Sequence, residues 1–406
     1  MVLKKILVAV LAVVLAAPAM NAEKLKYRNP TGKEFPILAW FSILGDSNLT
    51  KARYQELREA GFNISFSHFH TSESLDKGFR ACRGTGVKIM ASCDDLEHKT
   101  AATVRRFKGE PDLVGWFLTD EPTTRTYPRL KAYRDRVLAY DDKHLLYLNL
   151  FPCMTGADFL GAKSYEDYVQ RFVDEVGLNQ ISYDMYPVVH QDGKTFVRPE
   201  FYENLEIISR VAKRNGQPFW AFCMCTPHMV YPPAKIEYLR LEAFAALAYG
   251  AQCIQYFTYW TPLNADWDYH DAPIDSALRR TAAYYRVKQV NREIQALRHV
   301  FLGSEAEDVS FTGAITPDGT KPFTRLPARL LSLQTDGKGA LVSRLKNGRR
   351  RYVVVVNRDI FSPQILSLRL DKGVKRVWPT GRETRLAPGD IDIKLQAGGY
   401  VILRTK

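Results

Sequence analysis

Residues 113–122 read Leu-Val-Gly-Trp-Phe-Leu-Thr-Asp-Glu-Pro, an apolar run that stops at two acids and a proline. A continuous apolar stretch as short as Leu113–Leu118 suits a strand buried on both faces. The same phrase recurs between residues 36 and 262, as Ile37–Ile43, Phe62–Phe69, Val87–Ser92, Leu145–Leu150, Gln180–Tyr186, Pro218–Met224 and Cys253–Tyr259. The runs start about 25 to 40 residues apart, the length of one strand–helix unit. The amphipathic stretches between them close on Gly61, Gly84, Gly109, Gly177, Gly216 and Gly250, at helix C-cap positions. Ser164-Tyr165-Glu166-Asp167 reads as a capped helix start. Eight such units predict a (β/α)8 or TIM barrel. A doubly wound open sheet would carry a glycine-rich phosphate turn after strand one, and none is there; Gly84-Thr85-Gly86 reads as a helix exit.

Past the eighth run the spacing predicts one long helix from about Ile274 to His299. The texture then changes to short alternating strands: Leu330–Gln334, Ala340–Leu345, Tyr352–Asn357, Gln364–Leu370, Ile391–Leu395 and Tyr400–Arg404. Asp-Gly, Asn-Gly, Pro-Gly and Gly-Gly turns separate them, which predicts a small all-β antiparallel sandwich. The expected division is a barrel over residues 23–303 and a sandwich over 304–406.

Residues 1–22 read as a signal peptide: Lys4 and Lys5, an apolar stretch from Ile6 to Ala17, then small residues at Ala17-Pro18-Ala19 and Ala22. The stretch is shorter than the roughly 18–20 apolar residues of a spanning helix. The expectation is a soluble mature protein, periplasmic or secreted, with no membrane contact. The net charge of +13 is unevenly placed: Glu305–Lys406 alone carries 19 Lys and Arg against 10 Asp and Glu. This basic quarter, with Arg349-Arg350-Arg351, solvates a strand end or meets an acidic polymer. Export argues against nucleic acid as that partner and leaves an anionic glycan. Six cysteines in a chain of 406 residues do not make a disulfide scaffold. Cys223 and Cys225 share one strand face near His228, but no second ligand pair has zinc spacing, so no metal is expected.

Barrel chemistry sits at the C-terminal strand ends. Acids are scarce at these ends. Asp120 and Glu121 close strand four, where burial would raise a carboxyl pKa and suit a general acid. The alternative is helix capping by Asp120, with Pro122 at the first helical position. Asp184, flanked by Tyr183 and Tyr186 at the end of strand six, is the candidate partner acid. Trp40, His68, Asn149, Tyr186, His228, Tyr256 and Trp260 are candidate substrate contacts, with His70, Trp116 and Tyr259 nearby. Aromatic faces interspersed with hydrogen-bonding groups suit sugar rings, although strand alternation must turn some of these rings outward. No phosphate cradle, metal cluster or Ser-His-Asp order competes, so no cofactor is expected and the expected partner is a carbohydrate, an oligo- or polysaccharide.

Trp116–Pro122 resembles the Asn-Glu-Pro ending of strand four in clan A glycoside hydrolases, with Asp120 in place of the asparagine. The plan of leader, barrel and small sandwich is similar to exported bacterial glycosidases, including the family 42 β-galactosidase group. Ser182–Pro187 and Gln255–Pro262 resemble the corresponding strings of barrel glycosidases from polysaccharide-degrading gut bacteria. The resemblance implies glycosidic bond hydrolysis with Glu121 as the acid. It also implies a glutamate nucleophile at the end of strand seven, yet Pro218–Thr226 contains no acid. Three readings follow: Asp184 is the partner, Asp120 assists directly, or the barrel binds glycan without cleaving it. Adjacent Asp-Glu pairs at this strand end also resemble hexosaminidases that use the substrate's own acetamido group.

Overall fold

The computed structural model describes residues 25–263 and 267–406; the expected signal peptide at 1–22 lies outside them. The barrel strands are β1 (Ile37–Trp40), β2 (Ile64–Phe66), β3 (Lys88–Ala91), β4 (Leu113–Asp120), β5 (Leu145–Asn149) and β6 (Ile181–Tyr183). A hairpin follows, β7 (Val188–Gln191) and β8 (Lys194–Val197), then the seventh and eighth barrel strands, β9 (Phe219–Met224) and β10 (Cys253–Phe257). All barrel pairings are parallel, in the order β5-β4-β3-β2-β1-β10-β9-β6. The ring closes between β5 and β6, where the Leu150 N–H donates to the Ser182 carbonyl at 2.8 Å. The Asn179 side chain and Gln180 Nε2 also bond to Leu146 across this seam.

Alternation decides what fills the barrel. Leu38, Trp40, Ile64, Phe66, Met90, Val114, Tyr147, Trp220 and Phe222 point inward and pack into one buried cluster. Their neighbours Ile37, Ile89, Leu146, Ala221 and Ile254 face the helices. Cys223 and Cys225 share this outer side and are unpaired, as are the other four cysteines. Gly216 ends the helix Glu200–Asn215 at φ 63°, a left-handed conformation that glycine adopts without a Cβ clash.

Gly115 in β4 lets two backbones approach: a Cβ there would lie 2.2 Å from the Leu145 carbonyl oxygen. Gly115→Ala is therefore expected to destabilise the protein by about 1–3 kcal/mol, as overpacking does. Gly109→Ala, whose Cβ would meet open space, should be near neutral. Urea unfolding of the two variants compares them; equal midpoints would contradict this reading of β4.

The sandwich has a six-stranded sheet and a three-stranded one. Its strands are β11 (Glu305–Phe311), β12 (Leu330–Thr335), β13 (Ala340–Asn347), β14 (Arg350–Asn357), β15 (Gln364–Leu370), β16 (Lys375–Val377), β17 (Glu383–Arg385), β18 (Gly389–Leu395) and β19 (Tyr400–Arg404). The orders are β11-β13-β14-β19-β16-β17 and β12-β15-β18. Tyr352–Val356 is a continuous apolar run because β14 is covered twice. Val353 and Val355 face the three-stranded sheet, whereas Val354 and Val356 join the barrel's hydrophobic cluster. The helix Ile236–Ala248 packs on that second face; Phe244 stacks on Tyr400 with ring centroids 3.5 Å apart.

The long helix expected over Ile274–His299 is shorter, spanning Ala282–Ala296. Ile274 is held extended in bridges to Trp260 and Arg280, and the Thr281 hydroxyl caps the helix by accepting the Ala283 N–H. The hairpin β7–β8 and strands β11, β16 and β17 were not expected from the sequence.

Candidate active site

The mouth of the barrel gathers three carboxyl groups, and a bulge in β4 aims them. Phe117 pairs with Tyr147 on β5, but Thr119 pairs with Leu148 and Asp120 with Asn149, so Leu118 is an extra residue. Strict alternation from inward Phe117 would turn Asp120 outward. The bulge restores it to the inner side, level with Asn149. Glu121 then adopts φ 44°, uncommon for a residue with a Cβ, and its N–H donates to the Asn149 carbonyl at 2.8 Å. Such conformations persist where the surroundings over-determine them, and they cluster at functional sites. Here the Tyr168 hydroxyl holds the Pro122 carbonyl at 2.7 Å and the Thr124 hydroxyl bonds to the carbonyls of Leu160 and Gly161. The expected capping role of Asp120 does not occur, because the next α-helix begins only at Tyr127.

Glu121 and Asp184 share a hydrogen bond, carboxyl to carboxyl. Burial raises the pKa of both. The charges of Asp184 and Asp120 add to the rise at Glu121. Asn149 Nδ2 donates to Asp184 Oδ1 at 2.8 Å, and it and the Tyr186 side chain favour the ionised form of Asp184. The pair therefore holds a proton above the ordinary carboxylate range, and the Asn149 amide donating to Asp184 at 2.8 Å favours the charge on Asp184 and the proton on Glu121. Asp120 is open to solvent from the mouth yet walled by protein elsewhere. Desolvation and the charge of Asp184 push it up to about 7, against an opposing hydrogen bond from Asn149.

A polar chain inside the barrel orients Asn149. Tyr147 Oη donates to Gln255 Oε1 at 2.7 Å, Gln255 Nε2 donates to Ser182 Oγ at 2.9 Å, and Ser182 Oγ donates to Asn149 Oδ1 at 2.9 Å. With its carbonyl oxygen accepting from Ser182, Asn149 must present its amide N–H groups to the acids.

The Tyr186 ring lies 5.6 Å from Tyr231 and 5.8 Å from Phe257. His228 stands 5.6 Å from Phe257 and 4.9 Å from Tyr231. Its Nδ1–H donates to the Thr226 carbonyl at 2.9 Å, and burial lowers its pKa, so at neutral pH its Nε2 is a hydrogen-bond acceptor. Trp40 is buried within the barrel, 5.8 Å from Phe117, and contributes to the floor. His68 lies on the β2–β3 side, bonded to Ser92 and Asp94 at 2.8 and 2.7 Å.

Two expected substrate contacts are elsewhere. Tyr256 is fully buried beneath the helices, edge-on to Phe62, and Trp260 is buried under Arg53. The reason is parity: Gln255 and Phe257 take the inward positions of β10, so Tyr256 between them faces out. Tyr259 and Trp116 also pack in the helix layer. Tyr231 and Phe257 were missed. The inward parity of Phe257 was available from the sequence; nothing in it placed Tyr231, which comes from the loop after β9.

The end of β9 carries no acid, but Glu242 approaches it from the helix side and accepts the Met224 N–H at 2.6 Å. Full burial pushes Glu242 up to about 8. A raised carboxyl pKa gives stability that is complete below the unfolded-state value and lost as pH rises through the folded one. Glu242→Gln, which cannot ionise, should therefore gain in melting temperature relative to the parent between pH 5 and pH 8.5. A constant difference across that range would contradict a buried, neutral Glu242. Among the described residues no group of three or more His, Cys, Asp or Glu is placed to hold a metal ion. No helix there is long and apolar enough to cross a membrane.

The glycoside hydrolase family 42 model, described as β-galactosidase, matches residues 159–297. That span carries Asp184, Tyr186 and His228 but ends short of β4 on the N-terminal side. No curated protein sequence matches the chain. The fold is similar to a catalytic mutant of a family 42 β-galactosidase from G. stearothermophilus (10% identity, 92% of this chain and 98% of that one, TM-score 0.63). It is likewise similar to the β-galactosidase of Bacillus circulans sp. alkalophilus (10% identity, 92% and 99%, TM-score 0.61). Against a longer β-galactosidase from a psychrophilic Marinomonas the chain spans 60% of that protein's length and 64% of its own, at 10% identity and TM-score 0.49. The family match over residues 159–297 and the barrel agree: the chain is a (β/α)8 barrel similar to the family 42 β-galactosidases among the glycoside hydrolases.

Proposed function

We propose that Glu121 is the general acid of an exported glycosidase and that Asp184 is its partner carboxylate, acting on an oligo- or polysaccharide. The observation that carries this reading is the hydrogen-bonded Glu121–Asp184 pair at the barrel mouth, with Asp120 beside it. A carboxyl that keeps its proton at neutral pH can deliver it to a leaving glycosidic oxygen. A neighbour that stays charged stabilises the positive character developing at the anomeric carbon. Asn149 holds that neighbour, and His228, Tyr231 and Phe257 offer one acceptor and two ring faces for sugar hydroxyls and C–H groups.

The adjacent Asp120 and Glu121, both held above the ordinary carboxylate range beside Asp184, favour a second reading, in which Glu121 protonates the leaving group while Asp120 or Asp184 orients an acetamido group of the substrate as the internal nucleophile. Turnover on paired aryl glycosides, with and without a 2-acetamido group, tests both. Cleavage of the unsubstituted member supports the two-carboxylate route, and cleavage of the acetamido member alone supports the second. No cleavage of any member of a plant, mucin and algal glycan panel would leave the binding barrel as the correct description.

A further inference from the structure

The hairpin β7–β8 starts four residues after Asp184 and leans towards the sandwich, leaving a cleft of about 570 Å³ between them. Its walls are Phe196 from the hairpin and Ile315, Lys338, Arg358 and Phe361 from sandwich loops. Three apolar side chains stand open there: Phe196 at 40%, Phe361 at 55% and Ile315 at 77% exposure. Lys338 holds its ammonium 5.5 Å above the Phe361 ring and 3.7 Å from Asp359.

The guanidinium of Arg358 is the informative group. It is half-buried over Phe311 and donates to the carbonyls of Ile315 and Lys338, yet it has no carboxylate partner among the described residues. Arg58 and Arg240, also half-buried, are neutralised by Glu34 and Glu293; Arg358, like Arg376, has no such ion pair, but Arg358 alone of these lines the open cleft. Desolvation without a counter-charge lowers the pKa of Arg358. A buried charge is costly unless paired, so an uncompensated one beside an open cleft suits an anionic ligand. Arg198, on the opposite wall, carries its charge beside Tyr231, whose ring lies 5.6 Å from Tyr186 at the mouth.

We propose that this cleft binds an anionic sugar unit of the polysaccharide, bearing a carboxylate or a sulfate ester, with its ring against Phe196 and Phe361 and its charge at Arg358 and Lys338. The proposal rests on the glycosidase reading for the identity of the chain that enters the cleft. It also gives the basic sandwich a location at which to act.

The test is direct binding by the full-length protein to polygalacturonate, chondroitin sulfate and neutral galactan at low and high salt. The expected result is binding to at least one polyanion about tenfold tighter than to galactan, weakening with salt as exposed charge pairs do. The polyanion preferred identifies carboxylate or sulfate as the group recognised. Lys338→Glu and, separately, Phe361→Ala should each lose that binding about tenfold. Their turnover of an aryl glycoside too short to reach the cleft should stay at the parent level. Equal affinity for galactan and both polyanions, or parent-level polyanion binding in both variants, would overturn the proposal. Persistent polyanion binding, lost in the variants, by a protein with no turnover would uphold the cleft and refute the hydrolytic reading instead.

Discussion

Glu121→Gln is expected to lower kcat/KM on natural glycans by about 10²–10⁴, the usual contribution of a positioned general acid. That is about 3–5.5 kcal/mol of lost transition-state stabilisation. The amide keeps the size of the side chain and removes the proton that Glu121 retains through burial and through the charges of Asp184 and Asp120. The loss must depend on the leaving group. An aryl glycoside with an acidic phenol departs without protonation, so its turnover should fall far less. The variant should also lose the alkaline limb of the pH profile, which in the parent reports deprotonation of the coupled pair and lies above the ordinary carboxylate range. Rates on both substrate types across pH check this. Equal losses on aryl glycosides and natural glycans would remove Glu121 from the role of proton donor.

Asp184→Asn should be as damaging, and equally so on good and poor leaving groups, by about 10²–10³ or more. Its charge is needed at the anomeric centre, whatever leaves. The substitution also disturbs its neighbours: Asn149 Nδ2 would face an amide, and Glu121 would lose the charge that raises its pKa. The pH limb assigned to Glu121 should accordingly move towards lower pH in Asp184→Asn. Kinetics on the aryl substrate alone suffice, because Glu121→Gln is mild there and Asp184→Asn is not. An Asp184→Asn variant with parent activity on aryl glycosides would exclude Asp184 as the partner.

The eight apolar runs were legible because parallel barrel strands are buried on both faces and so lose the polar half of their alternation. The Tyr352–Val356 run of the sandwich has the same cause, since β14 is covered by the second sheet and by the barrel. The hairpin β7–β8 was legible in principle. Asp192-Gly193 is a two-residue hairpin signal, and both residues take positive φ, 51° and 71°. The strands beside that turn are short and mostly exposed, so no apolar run marks them.

At the mouth, residue types carried more than positions did. Acids ending apolar strands pointed to Glu121 and Asp184, and the structure brings them into contact. What brings Asp120 alongside them is the bulge at Leu118, which composition does not encode and which reverses the parity of everything after it. Tyr256 shows the opposite failure, an aromatic at a strand end whose parity places it under the helices. Glu242 was invisible for a different reason. It sits in a helix at a position where an acid ordinarily faces solvent, and only packing against β9 makes it a buried, neutral carboxyl.

The most direct measurement is a crystal structure of Glu121→Gln with an uncleaved oligosaccharide bound. The residue 121 amide is expected within hydrogen-bond distance of a glycosidic oxygen, with the Asp184 carboxylate facing the anomeric carbon of the same bond. An oligosaccharide whose nearest glycosidic bond lies instead against His68 and Asp94, out of reach of both residues, would contradict it.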